Sequence, residues 1–369
     1  MNDKFNIENE DNMEKEKKSK IKKILVNLTI FILLIILTFS LVLKDQDVSQ
    51  IFSVAAKVKK QYIVFAVLAM SIYILGEAVN ITRILKELGE KSKLISNIRY
   101  TLIGFFFSAI TPAASGGQPM EIYYMHKDDI SVANSTLALL MQLCSLQIVT
   151  ITVGTISAVI HFEVLKSGLI YLLILGIILN SSALMLLIIA IFSKKLSEGL
   201  IKFAVKLLKF FRIPNVEKKQ EKLEKELESY QTSAKYIKEH KILMLKTVIT
   251  TVVQMIAYYS VPYWIYLAFG LTEYNIFEIL TLQAVLYATV SGIPSPGAVG
   301  VSEGGFLGIF KNVFPETIIS SAMLLTRGAN FYLFIIISAI IVMISTFREK
   351  RIEKKQMQET EVLTEKSEK

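Results

Sequence analysis

Cysteine, histidine and tryptophan are nearly missing: one, three and one residues in a chain of 369. A lone Cys144 inside an apolar stretch supports neither a disulfide framework nor a thiolate metal cluster, which leaves a buried structural thiol. His126 and His161 sit near the ends of apolar blocks without H-E-x-x-H spacing, so nothing calls for a metal. No G-x-x-x-x-G-K-[ST] loop is present to cradle ATP phosphates. "GVSEGG" differs from the G-x-S-x-G nucleophile elbow. The sequence therefore calls for no cofactor, no metal and no catalytic residue. Charge is scarce in the middle of the chain and dense at its ends.

Apolar residues are what the chain has. They make up 53% of it, and the mean hydropathy is +0.49, whereas about a quarter of a soluble domain is charged. They form nearly uncharged blocks at 24–43, 61–76, 100–120, 130–160, 167–193, 247–272, 279–302 and 328–347. A bilayer core about 30 Å thick needs about 20 apolar residues per helix. The fold class is therefore all-α, a polytopic helical membrane protein. The first block follows the basic "KEKKSKIKK" but is longer than a signal-peptide core of roughly 7–15 residues and lacks a small-residue cleavage site. It reads as a retained first helix.

The net charge of +9 does not point to nucleic acid. Lysines and arginines lie at the N-terminus, around 83–99, across 194–246 and after 347, beside the apolar blocks. That is the positive-inside pattern, with attraction to anionic lipid added. It places both termini and the loop 194–241 in the cytoplasm, with Lys57, Lys59 and Lys60 outside as a mild violation. Parity then constrains the rest. With 130–160 and 167–193 crossing out and back, segment 100–125 must start and finish inside, so it reads as a re-entrant hairpin broken at "TPAASGGQP". With crossings near 243–270 and 320–347, segment 276–315 must start and finish outside, as a second hairpin from the opposite face. About six full spans and two opposed re-entrant hairpins result.

The two breaks resemble each other. Pro112 precedes Glu121 by nine residues with Gly116 and Gly117 between, and Pro294 precedes Glu303 by nine with Gly297 and Gly300 between. Each follows Ser-X-Ile, in "SAITP" and "SGIP". Opposed entry makes the arrangement inverted-repeat-like, an architecture in which paired broken helices mark a substrate site near the midplane. Half-helix N-termini after "SGGQP" and "PGAVG" are expected to offer N–H groups to a phosphate.

Ionisable groups within spans are candidates by default: Glu77, Glu121, Glu303 and Arg327. The glutamates suit a cationic headgroup or a proton, and Arg327 suits a carboxylate or phosphodiester. The competing readings are a Glu77–Arg83 pair or snorkelling, and an interfacial Arg327. Tyr123, Tyr124 and Tyr287 are candidate cleft walls, with plain packing as the alternative. In the loop, 194–212 has the pattern of a basic amphipathic helix carrying Leu196, Leu200, Phe203, Leu207 and Phe210 on one face. The stretch 216–241 looks like a soluble helix with Leu223, Leu227, Tyr230 and Ile237 on one face, packed on its own protein, with a partner contact or gate as the alternative reading. The tails 1–20 and 348–369 read as disordered, around a membrane domain of 21–347.

The breaks "P-x3-GG-x-P-x-E" from Pro112 to Glu121 and "P-x-PG-x2-G-x2-E" from Pro294 to Glu303 resemble the signatures of the lysylphosphatidylglycerol synthase transmembrane (flippase-like) family, over about 20–347. The resemblance implies a bacterial inner-membrane protein that moves aminoacylated phosphatidylglycerol or another modified lipid between leaflets, with resistance to antimicrobial peptides as a consequence. It carries over onto Pro112, Gly116, Gly117, Pro119, Glu121, Pro294, Pro296, Gly297, Gly300 and Glu303. Bifunctional members add a C-terminal domain that transfers lysine from tRNA. This chain ends at 369, soon after the last block, so a stand-alone member is expected, without aminoacyltransferase activity. The expected partners are a phospholipid substrate, the membrane and a separate lipid-modifying enzyme, and no nucleic acid. A membrane-embedded lipid transferase of the phosphatidylglycerol lysyltransferase type and a proton-coupled solute transporter are the alternative readings.

Overall fold

The computed structural model describes residues 53–111, 114–160, 169–195, 216–293 and 295–348, with residues 29, 198, 199 and 206. The first apolar block, the 194–212 amphipathic stretch apart from a few residues, both tails, His161, Pro112 and Pro294 lie outside the described residues. The described residues are helical, without strands. In chain order they form α1 (Lys60–Glu87), α2 (Leu94–Ile110), α3 (Gly117–Lys127), α4 (Val132–Ile160), α5 (Leu169–Phe192), α6 (Val216–Glu239), α7 (Lys241–Ala268), α8 (Ile276–Val290) and α9 (Val301–Ile309). The last span, α10, runs Ile319–Arg348 and contains a π-turn at Gly328–Tyr332. Among the described residues, five helices, α1, α4, α5, α7 and α10, are long and apolar enough to cross a membrane.

The exterior is that of a membrane protein. Val64, Leu68, Ile72 and Leu75 on α1, and Ile249, Val253 and Ile256 on α7, are exposed at helical spacing. Asn80, Gln142, Thr247, Thr251 and Gln254 are buried instead. In lipid, apolar side chains need no cover, while polar ones must find partners inside. Asn80 donates to Gln142 Oε1 at 2.8 Å and Thr251 Oγ1 at 3.0 Å, and its own Oδ1 accepts from Arg83 at 3.0 Å. Gln142 in turn donates to Gln254 at 3.3 Å. This polar layer joins α1, α4 and α7. Its members were not among the residues singled out by sequence.

The same layer fixes the direction of α7 against α1. Lys59 N–H donates to Ala268 O at 3.0 Å, Gly76 abuts Gln254, and Arg83 donates to Lys246 O at 3.0 Å. As one number rises the other falls, so the helices are antiparallel along their length. Both end in the same way, with Glu90 N–H donating to Leu85 O and Leu271 N–H to Tyr266 O, the bonds of a Schellman stop. Each is followed at once by a hairpin. Because α1 and α7 run oppositely, the first hairpin starts at the Glu87 end of α1 and the second at its Lys60 end.

Both hairpins double back. Added carbon at Gly117 would strike Ser108, and at Gly104 it would strike Glu121, so α3 returns along α2. Asp128 accepts from Arg99 and Tyr100 and closes the base. In the second hairpin Gly305 of α9 lies against Leu286 and Val290 of α8, and Tyr274 donates to Asn312 O at 3.0 Å across the base. Asn275 caps α8 by accepting from Glu278 N–H at 3.1 Å while the Glu278 carboxylate accepts from Asn275 N–H at 2.8 Å, a capping box. α2 and α8, of 17 and 15 residues, rise about 1.5 Å per residue, so each reaches about 23–26 Å, short of a bilayer core of about 30 Å. Long helix, broken hairpin, long helix thus occurs twice, in opposite directions.

α6 packs on the Glu87 end. Tyr230 donates to Ala190 O at 2.8 Å, Ser233 to Asn134 Oδ1 at 2.8 Å, and Ala234 and Ile237 are buried. Burial pushes the Tyr230 phenol up to about 12.

Replacing Asn80 with leucine strands Gln142 Oε1 and one Arg83 contact. An unsatisfied buried polar group costs about 1–3 kcal/mol, so Asn80→Leu is expected to lower the thermal unfolding midpoint in detergent; an unchanged midpoint would show that the polar layer adds nothing.

Candidate functional site

The hairpin tips meet at one cavity, lined by Ala114 of the first and by Ser295, Gly297 and Ala298 of the second. Ala114 and Ala298 both hold a left-handed backbone, at φ 53° and 52°. Such a conformation costs a non-glycine residue about 1–2 kcal/mol, and strain of this kind collects at functional sites. Two residues after each alanine comes the residue that caps the returning helix, Gly116 for α3 and Gly300 for α9. This aligns Gly116 with Gly300, two residues away from the alignment that Pro112 and Pro294 suggest.

The shift separates the two glutamates. Glu303 is the third residue of α9, whereas Glu121 is the fifth of α3. Two residues turn a helix by about 200°, so they face opposite ways. Glu303 folds over its own helix start: Oε2 accepts from Gly300 N–H at 2.7 Å, and Oε1 accepts from Arg327 at 2.8 Å and Tyr332 at 3.1 Å. Gly300, at φ 86°, takes a backbone that favours glycine. Arg327 also donates to Gly297 O at 3.1 Å and lies 4.0 Å over the Phe331 ring. Glu303 is 0% and Arg327 7% exposed. They are a buried pair that ties the second hairpin to α10.

Glu121 has no such partner. It is 3% exposed, it faces Gly104, and its Oε2 has no hydrogen bond. It lines a cavity of about 660 Å³ together with Glu77, Tyr73, Gln118, Gln147 and Asn180. A smaller cavity of about 280 Å³ lies beside it, lined by Arg327, Asn330, Gly297, Ser295, Tyr258 and Phe331. Tyr73, Phe105, Ser108, Ala114, Tyr287 and Ser291 line both, so the two are chambers of one cleft. The π-turn follows Arg327 directly and brings Asn330 and Phe331 to the wall; such turns are frequent at functional sites.

Several expectations change. The Gly116 N–H is taken by Thr111 Oγ1 at 2.9 Å and that of Gly300 by Glu303, so neither is open to a phosphate. Glu303 is committed to Arg327. Arg83 bonds Asn80, Lys246 O and Thr250 and makes no pair with Glu77, because six residues along a helix turn it away. Gly116, Gly117, Pro119, Pro296 and Gly300 shape the hairpin turns and do not line either chamber. Tyr287 is on the shared wall. Tyr123 is exposed and Tyr124 is buried against Thr346. Tyr73 and Tyr258, with rings 5.2 Å apart, were missed, since a tyrosine within an apolar helix carries no spacing signal.

A family model described as "Lysylphosphatidylglycerol synthase TM region" matches residues 24–338, a range that contains both hairpins and the cleft. No curated protein matches the chain.

Breaking a buried ion pair by removing one partner costs about 3–5 kcal/mol. Glu303→Gln is expected to lower the unfolding midpoint sharply, while Glu121→Gln, which removes an unpaired carboxylate, leaves it unchanged or higher in low-salt buffer. Equal losses in the two variants would contradict the separate roles.

Proposed function

The chain belongs to the lysylphosphatidylglycerol synthase TM-region family, and from that premise we propose that it is a lipid translocase. It moves the headgroup of a modified phospholipid, aminoacyl-phosphatidylglycerol-like or glycolipid, between leaflets without transferring any chemical group. The observation that carries this reading is the two-chambered polar cleft at the meeting point of hairpins that enter from opposite ends. In such folds the substrate sits where the broken helices meet, and access alternates about it. The phosphodiester is matched to the smaller chamber, where Ser295 and Asn330 bring polar atoms beside the Arg327–Glu303 pair.

Acyl chains stay in lipid. The larger chamber is lined by Ala183, Leu186 and Ala190 of α5 and by Gln118 and Glu121 of α3. Leu186 also faces outward, 66% exposed, so a headgroup entering there would leave its tails among the surrounding lipid. The Glu87 end carries Arg83, Lys86, Lys91, Lys93 and Arg99, which by the positive-inside rule makes it cytoplasmic, with both termini, in a bacterial inner membrane. A separate lipid-modifying enzyme is the proposed source of the cargo.

Purified protein in phosphatidylcholine liposomes, carrying fluorescent phosphatidylglycerol or lysyl-phosphatidylglycerol, is expected to expose inner-leaflet label to dithionite at least tenfold faster than empty liposomes. Ala183→Trp, which fills the α5 wall of the chamber, should abolish the gain, while Ile178→Trp on the outer face of α5 should keep it. No gain over empty liposomes with either lipid would overturn the translocase reading.

A further inference from the structure

The larger chamber has an imbalance that lipid transport alone does not explain. Glu77 and Glu121 both line it. None of the described lining residues is Lys, Arg or His. Among the described residues, Arg83 is engaged with Asn80, Lys246 O and Thr250, Arg99 with Asp128, and Arg327 with Glu303. Three further oxygens sharpen the picture. Glu121 Oε2, Gln147 Oε1 and Thr101 Oγ1 are buried without a hydrogen-bond partner, and all three residues line the chamber. Buried polar atoms almost always have partners, so a group of orphaned acceptors in one cavity marks where a ligand supplies them.

We infer that Glu77, Glu121, Gln147 and Thr101 form a binding site for a monovalent cation. Two carboxylates, an amide oxygen and a hydroxyl suit a sodium ion, which takes oxygen ligands, and equally an ammonium group, whose N–H bonds need acceptors. A buried carboxyl oxygen without a partner is costly, so a bound cation that supplies one stabilises the folded protein. The shared chemistry has two sources: a free ion that couples movement to a gradient, or the amine of the lipid headgroup itself. The second source rests on the translocase reading; the site does not.

The experiment uses the full chain in phosphatidylcholine nanodiscs, without cargo lipid. Thermal unfolding is followed as sodium chloride or methylammonium chloride is raised, with choline chloride holding ionic strength constant. A ligand that binds only the folded state raises the midpoint along a saturating curve. The midpoint is expected to rise with at least one of the two cations, and Glu121→Gln and Glu77→Gln are expected to weaken the apparent affinity at least tenfold. Glu221→Gln, on the exposed face of α6, should respond as the wild type does. A response to sodium alone identifies a coupling ion, to methylammonium alone a headgroup-amine pocket, and to both a general monovalent site. A midpoint insensitive to both, or a response kept in the Glu121 and Glu77 variants, overturns the inference. Failed lipid movement with an intact cation response would count against the translocase reading only.

Discussion

Antiparallel packing of α1 on α7 decides where everything else lies. It is held in register by Asn80, Gln142 and Gln254 within the apolar interior. Polar side chains in lipid have few alternative partners, so these contacts select one alignment where leucine faces would tolerate several. Each long helix hands the chain to a short broken hairpin. Opposed directions in the pair therefore become opposed entry of the hairpins, and opposed entry brings two strained turns, at Ala114 and Ala298, to the wall of one chamber.

From that frame the two halves diverge. A glutamate three residues past its helix cap turns back, caps the helix and meets Arg327; one five residues past points across to its partner arm. The second hairpin is thereby locked to α10, and the first is left with an unpaired carboxylate facing a cavity of about 660 Å³. A symmetric architecture thus carries an asymmetric arrangement of carboxyl groups, with Glu303 paired to Arg327 on one side and Glu121 without a partner on the other.

Much of this architecture is legible in the residues. The expected crossings match the spans within a few positions, 320–347 against Ile319–Arg348, and the parity of basic loops required both hairpins. The "VEKKQEKLEKELESYQ" helix shows its packed face in Tyr230 and Ile237. The site is less legible, because a motif alignment counts residues from proline whereas geometry counts from the helix cap. That two-residue difference hid the distinct roles of Glu121 and Glu303. The polar layer stayed hidden too: Asn80, Gln142 and Gln254 lie more than sixty residues apart in sequence, and only the packing of three helices brings them together.

Opposed entry is the central claim, and accessibility of single cysteines to a membrane-impermeant maleimide tests it directly. In a Cys144→Ser background, Lys93→Cys and Asp129→Cys flank the first hairpin, and Glu273→Cys and Lys311→Cys flank the second. The account predicts that the first two react only from one side of the membrane and the last two only from the other. Labelling of all four from one side, or a split within either pair, would contradict it.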